Sequence, residues 1–312
     1  MYDTIDFTLY HGDAGGVDFL EETPCYFEFK EKRETYDGNP YLLGSLNGLR
    51  LSVDARRVKV YGGSLCKWYL GDNIKTMTRG DIQRAIEKLS DDLHLPMGSA
   101  VVSRIDVAQN FETRYPVDVY LGHFGKLGRK EPLRQPSSVY YDIPGGRVCI
   151  YDKIREMKEK RKPFPSIYKH VNVLRYERRH TDRIAQRLGM DVVTASTLYD
   201  EAFYIRLLDD WRNTFMAIQK LNDTSLNWEV VRTKKQLYNM GLLALFEKTG
   251  GQLQTRTQIE AAAKRGQLTR KQALDLRRAV DDAYQIDGGF AVRNDAVHEL
   301  ERRVREAVRF YR

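Results

Sequence analysis

The sequence of 312 residues has no apolar run of the roughly 18 to 20 residues that cross a bilayer. Its first ten residues carry Asp3 and Asp6 where a signal peptide needs basic residues. Its three cysteines, Cys25, Cys66 and Cys149, are too far apart in sequence for a CxxC or Cys/His zinc cluster. These absences argue against membrane-spanning, secreted and zinc-finger proteins, and we expect a globular protein of a reducing cytoplasm.

Familiar catalytic signatures are also missing. The sequence has no Walker A loop, no GxGxxG after a strand, no HExxH and no GxSxG. Its six histidines never occur as a close pair, so the sequence does not indicate a histidine-based metal site. If the protein cuts or joins a substrate, carboxylates and a hydroxyl group must therefore carry the reaction.

Positive charge is concentrated in one part of the sequence. Residues 121–180 hold 15 Lys and Arg against six Asp and Glu, whereas the formal net charge of the whole chain is only +8. Tyrosine and phenylalanine are interleaved with these cations, and flat rings beside phosphate-binding cations suit single-stranded nucleic acid. The alternative for this window is a solvated basic helix beside aromatic core residues.

The hydrophobic pattern changes near residue 182. Before it, short alternating runs separated by turns, 65–70 among them, predict an antiparallel sheet, and 78–93 has the spacing of an amphipathic helix. After it, long periodic segments predict helices. The chain is thus predicted to be α+β, with an antiparallel β-sheet domain that has helices on one face (residues 1–182) and an α-helical domain (residues 183–312).

Two capping boxes occur in the predicted helical domain. Thr257 pairs with Glu260 and Thr269 with Gln272, and Gly266 lies between them as a helix stop. They predict two helices joined by a short turn. A helix-turn-helix that reads duplex DNA is one interpretation, and a plain helical hairpin is the commoner structure.

Two predicted strands each carry an arginine and a carboxylate two residues apart. Strand alternation places Arg104 with Asp106 on one face, and Arg175 with Glu177 on one face of the other strand. If the strands are neighbours, Asp106 and Glu177 would supply two oxygen ligands to Mg²⁺ or Mn²⁺. The arginines would balance charge or hold phosphate. A pair of cross-strand salt bridges is the structural alternative.

A third segment places Tyr151 where a strand ends and a basic helix begins, within reach of a substrate. The pKa of a tyrosine is about 10, so its hydroxyl is a poor nucleophile at neutral pH without help. A divalent ion on the phosphate and Lys153 would provide that help. Tyr140 and Tyr141, across the predicted hairpin, are alternative nucleophiles, and a packed aromatic is the structural explanation of Tyr151.

Four fragments combine in chain order. They are Gly63-Ser64-Leu65-Cys66-Lys67 with Gly71-Asp72-Asn73, Ser103-Arg104-Ile105-Asp106 with Asn110-Phe111, Ile150-Tyr151-Asp152-Lys153 with Glu156, and Leu174-Arg175-Tyr176-Glu177. In this order and spacing they resemble the filamentous-phage gene II type of rolling-circle replication initiators. They are more distantly similar to the Rep proteins of small staphylococcal plasmids. The resemblance covers roughly residues 60–180.

The resemblance implies a palm of antiparallel strands and a DNA strand transferase. Tyr151 would attack one phosphodiester at a replication origin, keep the 5′ end as a phosphotyrosine and release a 3′-OH for the polymerase, with Lys153 as an electrostatic helper. Asp106 and Glu177 would bind Mg²⁺ or Mn²⁺. The related HUH endonucleases use two histidines, where this sequence has Asp106 and Ala108. The ligand set would therefore be based on carboxylates or incomplete, and Asn110, Glu112 or Asp54 are the candidates to complete it.

The resemblance also implies partners and a division of labour. The expected partners are single-stranded or supercoiled origin DNA, a host helicase and polymerase, and a second copy of the chain, all in the cytoplasm of a bacterial host. Residues 1–182 would nick and join DNA, while 183–312 would recognise the origin or support dimerisation. A mobilisation relaxase or transposase with the same chemistry, and a non-catalytic DNA-binding regulator, are the alternatives. The candidate DNA-binding residues are Lys67, Arg104, Tyr140, Arg147, Arg155 and Arg175.

Overall fold

The computed structural model describes residues 1–161, 165–221, 224–226, 230–285, 290–292 and 295–312. These residues form two compact units. Unit 1 comprises Met1–Leu221 and Ala296–Arg312, and unit 2 comprises Asn222–Asp295. None of the helices described is both long and apolar enough to span a bilayer.

A ten-stranded antiparallel sheet is the framework of unit 1. Its strands lie in the order β2-β3-β4-β5-β1-β6-β11-β10-β9-β8. A separate pair, β7 with β12, also belongs to unit 1, and β13 pairs with β14 in unit 2. The strands are β1 (Tyr2–Tyr10), β2 (Glu28–Glu34), β3 (Pro40–Leu46), β4 (Leu49–Asp54), β5 (Arg57–Tyr61), β6 (Val101–Thr113), β7 (Phe124–Leu127), β8 (Leu133–Gln135), β9 (Ser138–Ile143), β10 (Gly146–Asp152), β11 (Asn172–His180), β12 (Ile218–Lys220), β13 (Thr224–Leu226) and β14 (Phe290–Val292).

Helices complete both units and confirm the predicted α+β class. Unit 2 holds α7, α8 and α9, while the others belong to unit 1, α10 from its second residue onward. The helices are α1 (Leu65–Leu70), α2 (Arg79–Leu93), α3 (Val117–Gly122), α4 (Lys153–Glu159), α5 (Ile184–Arg187), α6 (Glu201–Ala217), α7 (Lys234–Lys248), α8 (Gly251–Lys264), α9 (Arg270–Tyr284) and α10 (Asp295–Tyr311).

Local sequence explains why helix α2 forms where it was predicted. Thr78 caps α2, because its hydroxyl accepts from the Asp81 N–H while the Asp81 carboxylate accepts from the Thr78 N–H. The predicted apolar stripe is buried, from Ile82 to Leu93. The left-handed backbone of His94 then ends the helix.

The predicted strand at 65–70 is wrong, because these residues form α1. The Ser64 hydroxyl caps the helix by accepting from the Lys67 N–H at 3.1 Å. Gly71, with a φ of +86°, ends it in the left-handed region that favours glycine. Leu65 and Cys66 are buried, so this short helix packs the start of the apolar run into the core.

One of the two predicted capping boxes is also wrong. Thr257 lies inside α8, and its hydroxyl donates to the Leu253 carbonyl one turn earlier. The second box is confirmed, since the Thr269 hydroxyl accepts from the Gln272 N–H at the start of α9. Gly266 has a φ of +74° between the two helices, as expected of a helix stop.

Helix α6 packs against one face of the central sheet. The Trp211 ring lies 4.7 Å from that of Tyr176 on β11 and 6.3 Å from that of Phe111 on β6. The Tyr176 hydroxyl donates to the Trp211 carbonyl at 2.9 Å. This face is therefore the hydrophobic core, and Asp106, Arg175 and Glu177 of the same strands lie on the opposite face.

Helix α10 returns to unit 1 after unit 2. Leu300, Val304 and Val308 are buried in the same core as the sheet. The Tyr120 hydroxyl of α3 donates to the Glu299 carboxylate at 2.5 Å. The compact units therefore differ from the predicted boundary near residue 182, because α6 and α10 bury their apolar faces against the sheet.

Replacing Leu300 by Ala tests this packing. We expect the free energy of unfolding of unit 1 to fall by about 2–5 kcal/mol, because the change leaves a cavity in a closed core. Denaturant unfolding followed by tryptophan fluorescence would measure it, since Trp211 lies in that core. Phe310→Ala on the exposed side of the same helix is the control, with a change within about 0.5 kcal/mol. Equal effects of the two changes would contradict the packing.

Candidate active site

Four neighbouring strands present polar residues on the sheet face opposite α6. The strands β9, β10, β11 and β6 are consecutive, so the residues paired across them form rows. The three rows are Ser138–Tyr151–Arg175–Asn110, Tyr140–Cys149–Glu177–Ala108 and Asp142–Arg147–Arg179–Asp106. The fold thus brings the three sequence fragments that carry Asp106, Tyr151 and Glu177 onto one surface.

The two predicted metal ligands are buried next to arginines. Asp106 is 1% exposed and Glu177 is 3% exposed. Arg104 donates to both oxygens of Asp106, from Nε at 2.9 Å and from Nη2 at 2.6 Å. Arg179 donates from Nε to Glu177 Oε1 at 2.6 Å and lies 3.8 Å from Asp106 Oδ2. These arginines offset the cost of burying two carboxylates.

Burial affects the two carboxyl groups differently. Burial raises the pKa of Asp106 and the nearby Glu177 carboxylate adds to this, while Arg104 opposes it. Burial also acts to raise the pKa of Glu177, but Arg175 and Arg179 outweigh it and lower this pKa. Glu177 is therefore the carboxylate that the site holds most firmly in its charged form.

Tyr151 lies in the row beside Glu177. Its hydroxyl donates to Glu177 Oε2 at 3.3 Å, and the residue keeps part of its surface exposed. Burial raises the pKa of Tyr151 well above its usual value, although Arg175 acts in the opposite direction. The phenol is therefore protonated at neutral pH and is held by a carboxylate that can orient it.

Arg175 has no exposed surface, so the predicted direct contact of this residue with DNA does not fit its position. Its guanidinium donates to Asp3 Oδ2 at 2.6 Å and to Glu177 Oε2 at 3.4 Å. It also donates to Asn110 Oδ1 and to the Asn73 carbonyl, both at 3.2 Å. Arg175 thus links the floor of the site to the first strand and to the loop after α1.

The segment around α1 forms one wall of the site. The Ser64 hydroxyl donates to Asp3 Oδ1 at 2.6 Å, and the Asn110 amide donates to the carbonyls of Asn73 and Ile74. Lys67 is exposed on this helix. Sequence reasoning missed Asp3, because a lone acidic residue in the first strand carries no motif and only the tertiary fold brings it to Arg175.

Lys153 begins α4 two residues after Tyr151. Asp152 caps this helix by accepting from the Arg155 N–H at 2.9 Å, so the strand passes directly into the helix. Lys153 is buried and donates to Glu156 Oε2 at 3.1 Å, and burial lowers its pKa. Arg155 is exposed and pairs with Glu159.

The alternative tyrosines lie in different surroundings. Tyr141 is buried on the core side, where its hydroxyl donates to the Gly125 carbonyl at 2.7 Å. A DNA phosphate cannot reach that position. Tyr140 is in the Glu177 row, part-exposed, with the Arg147 guanidinium 5.8 Å from the centre of its ring. Of the two, only Tyr140 shares the surface with Tyr151.

The site offers two carboxylates to a hard cation. In the described part of the chain, no group of three or more His, Cys, Asp or Glu side chains is close enough to hold a metal ion. Asp54 does not complete the set, because it lies on β4 and holds Arg57 at 3.1 Å. Glu112 is exposed on the polar face but pairs with Val173, two rows from Glu177, and the Asn110 amide is committed to Arg175 and to backbone. Asp106 and Glu177 fit a partial ligand set of oxygen donors.

A family model matches the part of the chain that carries this arrangement. Residues 1–204 match the family model described as the N-terminal region of a phage replication-associated protein, the product of gene II. The chain belongs to this family. It is thus a member of the gene II type of rolling-circle replication initiators, as the sequence fragments predicted. No protein in the curated set matches the chain significantly.

The match to the replication-associated family covers only part of the fold. It covers the ten-stranded sheet and all three rows, and it ends inside α6. Unit 2 and α10 therefore lie outside the matched region. Family membership makes this a phage-type replication protein, while the roles of individual residues rest on the geometry above.

Proposed function

We propose that the protein nicks and rejoins one strand of origin DNA through a phosphotyrosine on Tyr151, and so starts rolling-circle replication of a phage or plasmid. The observation that carries the proposal is Tyr151, a part-exposed residue whose hydroxyl lies 3.3 Å from Glu177 Oε2 on the polar face of the matched domain. A tyrosine suits this reaction because exchange of one phosphodiester for another conserves the bond.

The step is a transesterification. The Tyr151 oxygen forms a bond to phosphorus as the bond from phosphorus to the 3′ oxygen breaks, the phenolic proton leaves, and the 3′ oxygen takes up a proton. Glu177 orients the phenol through the hydrogen bond that it accepts. Arg175 lies below and opposes the rise in the pKa of Tyr151, so it stabilises negative charge on the phenol oxygen.

A divalent ion, Mg²⁺ or Mn²⁺, belongs to this proposal. Asp106 and Glu177 would hold it, and Arg104 and Arg179 would have to release the oxygens that they now occupy. When bound, the ion would polarise the scissile phosphate and neutralise developing charge. Water and DNA oxygens would complete its coordination, because Mg²⁺ usually keeps several waters.

The exposed cations around this face would hold the DNA strand. We assign this role to the exposed Lys67, Arg147 and Arg155 and to the part-exposed Arg104, with Tyr140 as a stacking residue. Lys153 is buried against Glu156. Its proposed role is therefore to add positive charge beneath the site and not to contact the DNA strand. Unit 2 would recognise the origin or pair two copies of the chain, and host helicase and polymerase would act on the nicked product.

A covalent adduct tests the proposal. Purified protein is incubated with a library of labelled single-stranded oligonucleotides and Mn²⁺, followed by denaturing gels and peptide mass spectrometry. We expect a nucleotide adduct on the peptide that holds Tyr151, and none when EDTA replaces Mn²⁺. An adduct on Tyr140 would support the proposed reaction but refute Tyr151 as the nucleophile. Absence of any adduct, together with tight and salt-sensitive binding of duplex DNA, would favour a non-catalytic regulator.

A further inference from the structure

An open pocket lies beside the candidate active site, where the β9–β10 hairpin turns. Its volume is about 470 Å³. Three arginines from three strands line it, together with the turn and the start of the segment after β11. The arginines are Arg104, Arg147 and Arg179, and Asp142 and Asp182 also line the pocket.

The turn packs closely against β11 because it has no side chains where the two meet, and Gly145 lies against the Arg187 side chain. Gly145 follows Pro144 and has a φ of +85°, as favoured at the third position of a type II turn. Gly146 has a φ of +148°, and a Cβ there would lie 1.9 Å from the Arg179 carbonyl oxygen. The Gly145 carbonyl accepts from the Thr181 N–H at 3.0 Å, which fixes the wall.

The three arginines of the pocket are held in the same manner. Each donates from Nε to one carboxylate: Arg104 to Asp106 at 2.9 Å, Arg147 to Asp142 at 2.6 Å and Arg179 to Glu177 at 2.6 Å. Arg104 also donates from Nη2 to Asp106 at 2.6 Å. Their side chains remain 27%, 45% and 32% exposed, respectively. A guanidinium has five donors in a planar fork, so pairing at Nε leaves Nη donors for a second anion.

The charge of the pocket suits one phosphodiester rather than a more highly charged group. Asp142 and Asp182 line it beside the three arginines. The carboxylates of Asp106 and Glu177 lie beneath it and balance Arg104 and Arg179. Three arginines and four carboxylates leave the pocket without an excess of positive charge, so the anion would be held by directed hydrogen bonds.

The pocket is too far from Tyr151 to hold the scissile phosphate. Arg147 precedes Tyr151 by four residues on β10, which corresponds to about 13 Å along a strand. The Tyr140 ring lies between them in the neighbouring row, and the Arg147 guanidinium is 5.8 Å from its centre. An aromatic ring between a nucleophile and an anion pocket matches the alternation of base and phosphate in a single strand.

We infer that this pocket binds a phosphodiester of the same single DNA strand, a few nucleotides from the scissile phosphate, while Tyr140 stacks on an intervening base. The inference rests on the proposed function and names a binding site beyond the reacting centre. Arg147 and Arg179 donate to the phosphate. The site fixes the register in which the strand crosses Tyr151.

Replacement of single phosphates tests the pocket. The probe is the oligonucleotide that the protein cuts, with one phosphate at a time changed to an uncharged methylphosphonate. Binding is titrated without divalent ions so that the strand stays intact. We expect a loss of about tenfold at one position other than the scissile one. Arg147→Gln should bind the unmodified strand about tenfold more weakly and lose nothing further at that position.

The salt dependence of binding gives a second readout. Loss of one phosphate contact should reduce the slope of log K against log salt by about 0.7 for a single strand. Arg57→Gln is the matched control, since Arg57 is exposed, donates from Nε to Asp54 and lies on β5, which β1 and β6 separate from β11. It should bind as the unchanged protein does.

Three results separate the outcomes. The expected coupling between Arg147 and one phosphate would support the pocket. Equal losses for Arg147→Gln at every position, or none at all, would overturn the pocket and leave nicking by Tyr151 untouched. If no oligonucleotide is cut, the proposed function fails and the pocket inference fails with it.

Discussion

Tyr151→Phe is expected to abolish nicking and adduct formation, with a loss of at least about 1,000-fold in rate. The change removes the atom that would bond to phosphorus and keeps the ring that packs at the end of β10. The hydrogen bond lost from the Tyr151 hydroxyl is a long one, 3.3 Å to Glu177. The fold should therefore survive, and the loss should lie in the chemical step. Cleavage of labelled single-stranded DNA in Mn²⁺ measures it.

Two other tyrosines provide matched controls for that experiment. Tyr141→Phe should keep the nicking rate, because its hydroxyl points into the core, and it should lower stability by about 1 kcal/mol through loss of the bond to Gly125. Tyr140→Phe retains a ring for stacking and should keep most activity. If Tyr151→Phe still nicks while Tyr140→Phe does not, the nucleophile has been assigned to the wrong row.

The second large effect is expected on stability. Arg175→Met should lower the free energy of unfolding by about 3–5 kcal/mol, because it leaves buried carboxylates without their cation. Asp3 and Glu177 both lose a partner, and so do the Asn73 carbonyl and Asn110. Methionine fills a similar volume, so the loss reports on charge and hydrogen bonding rather than on a cavity. Denaturant unfolding followed by circular dichroism would measure it.

The control for Arg175 is an arginine outside the core. Arg57→Met removes an exposed ion pair with Asp54, for which we expect a change below about 1 kcal/mol. Arg175→Lys should fall between the two, since an ammonium group keeps the charge but cannot reach four acceptors in the planar geometry of a guanidinium. A loss below about 1 kcal/mol for Arg175→Met would contradict the network.

Strand periodicity predicted which face of its strand each site residue occupies, but not which strands are neighbours in the sheet. Alternation alone placed Asp106 and Glu177 each on a polar face, and the structure has them there. The closeness of Asp106 to Glu177 depends on β6 pairing with β11, and that of Tyr151 to Glu177 depends on β11 pairing with β10. Both pairings are long-range register that no local pattern contains. Asp3 is the clearest case, because it meets Arg175 across 172 positions of sequence.

Short segments were the least predictable parts of the fold. Six residues of α1 fit an alternating strand as well as one turn of helix, and the Ser64 cap and Gly71 stop decide between them. Exposure was also beyond the sequence, since Arg175 looks like a phosphate-binding residue until its burial is known. Amphipathic α2 was predictable, because five apolar positions and a capping box agree.

The return of α10 to unit 1 affects how the chain folds during its synthesis. The helix completes the core of unit 1, yet the ribosome makes residues 222–295 before it. At about 5–20 residues per second, those residues separate α6 from α10 by about 4–15 s. During that interval the surface that Leu300 and Val304 will cover is open to water and to other chains. The nascent sheet domain therefore stays unfinished until unit 2 has emerged, which delays its final packing until nearly all of these 312 residues are made.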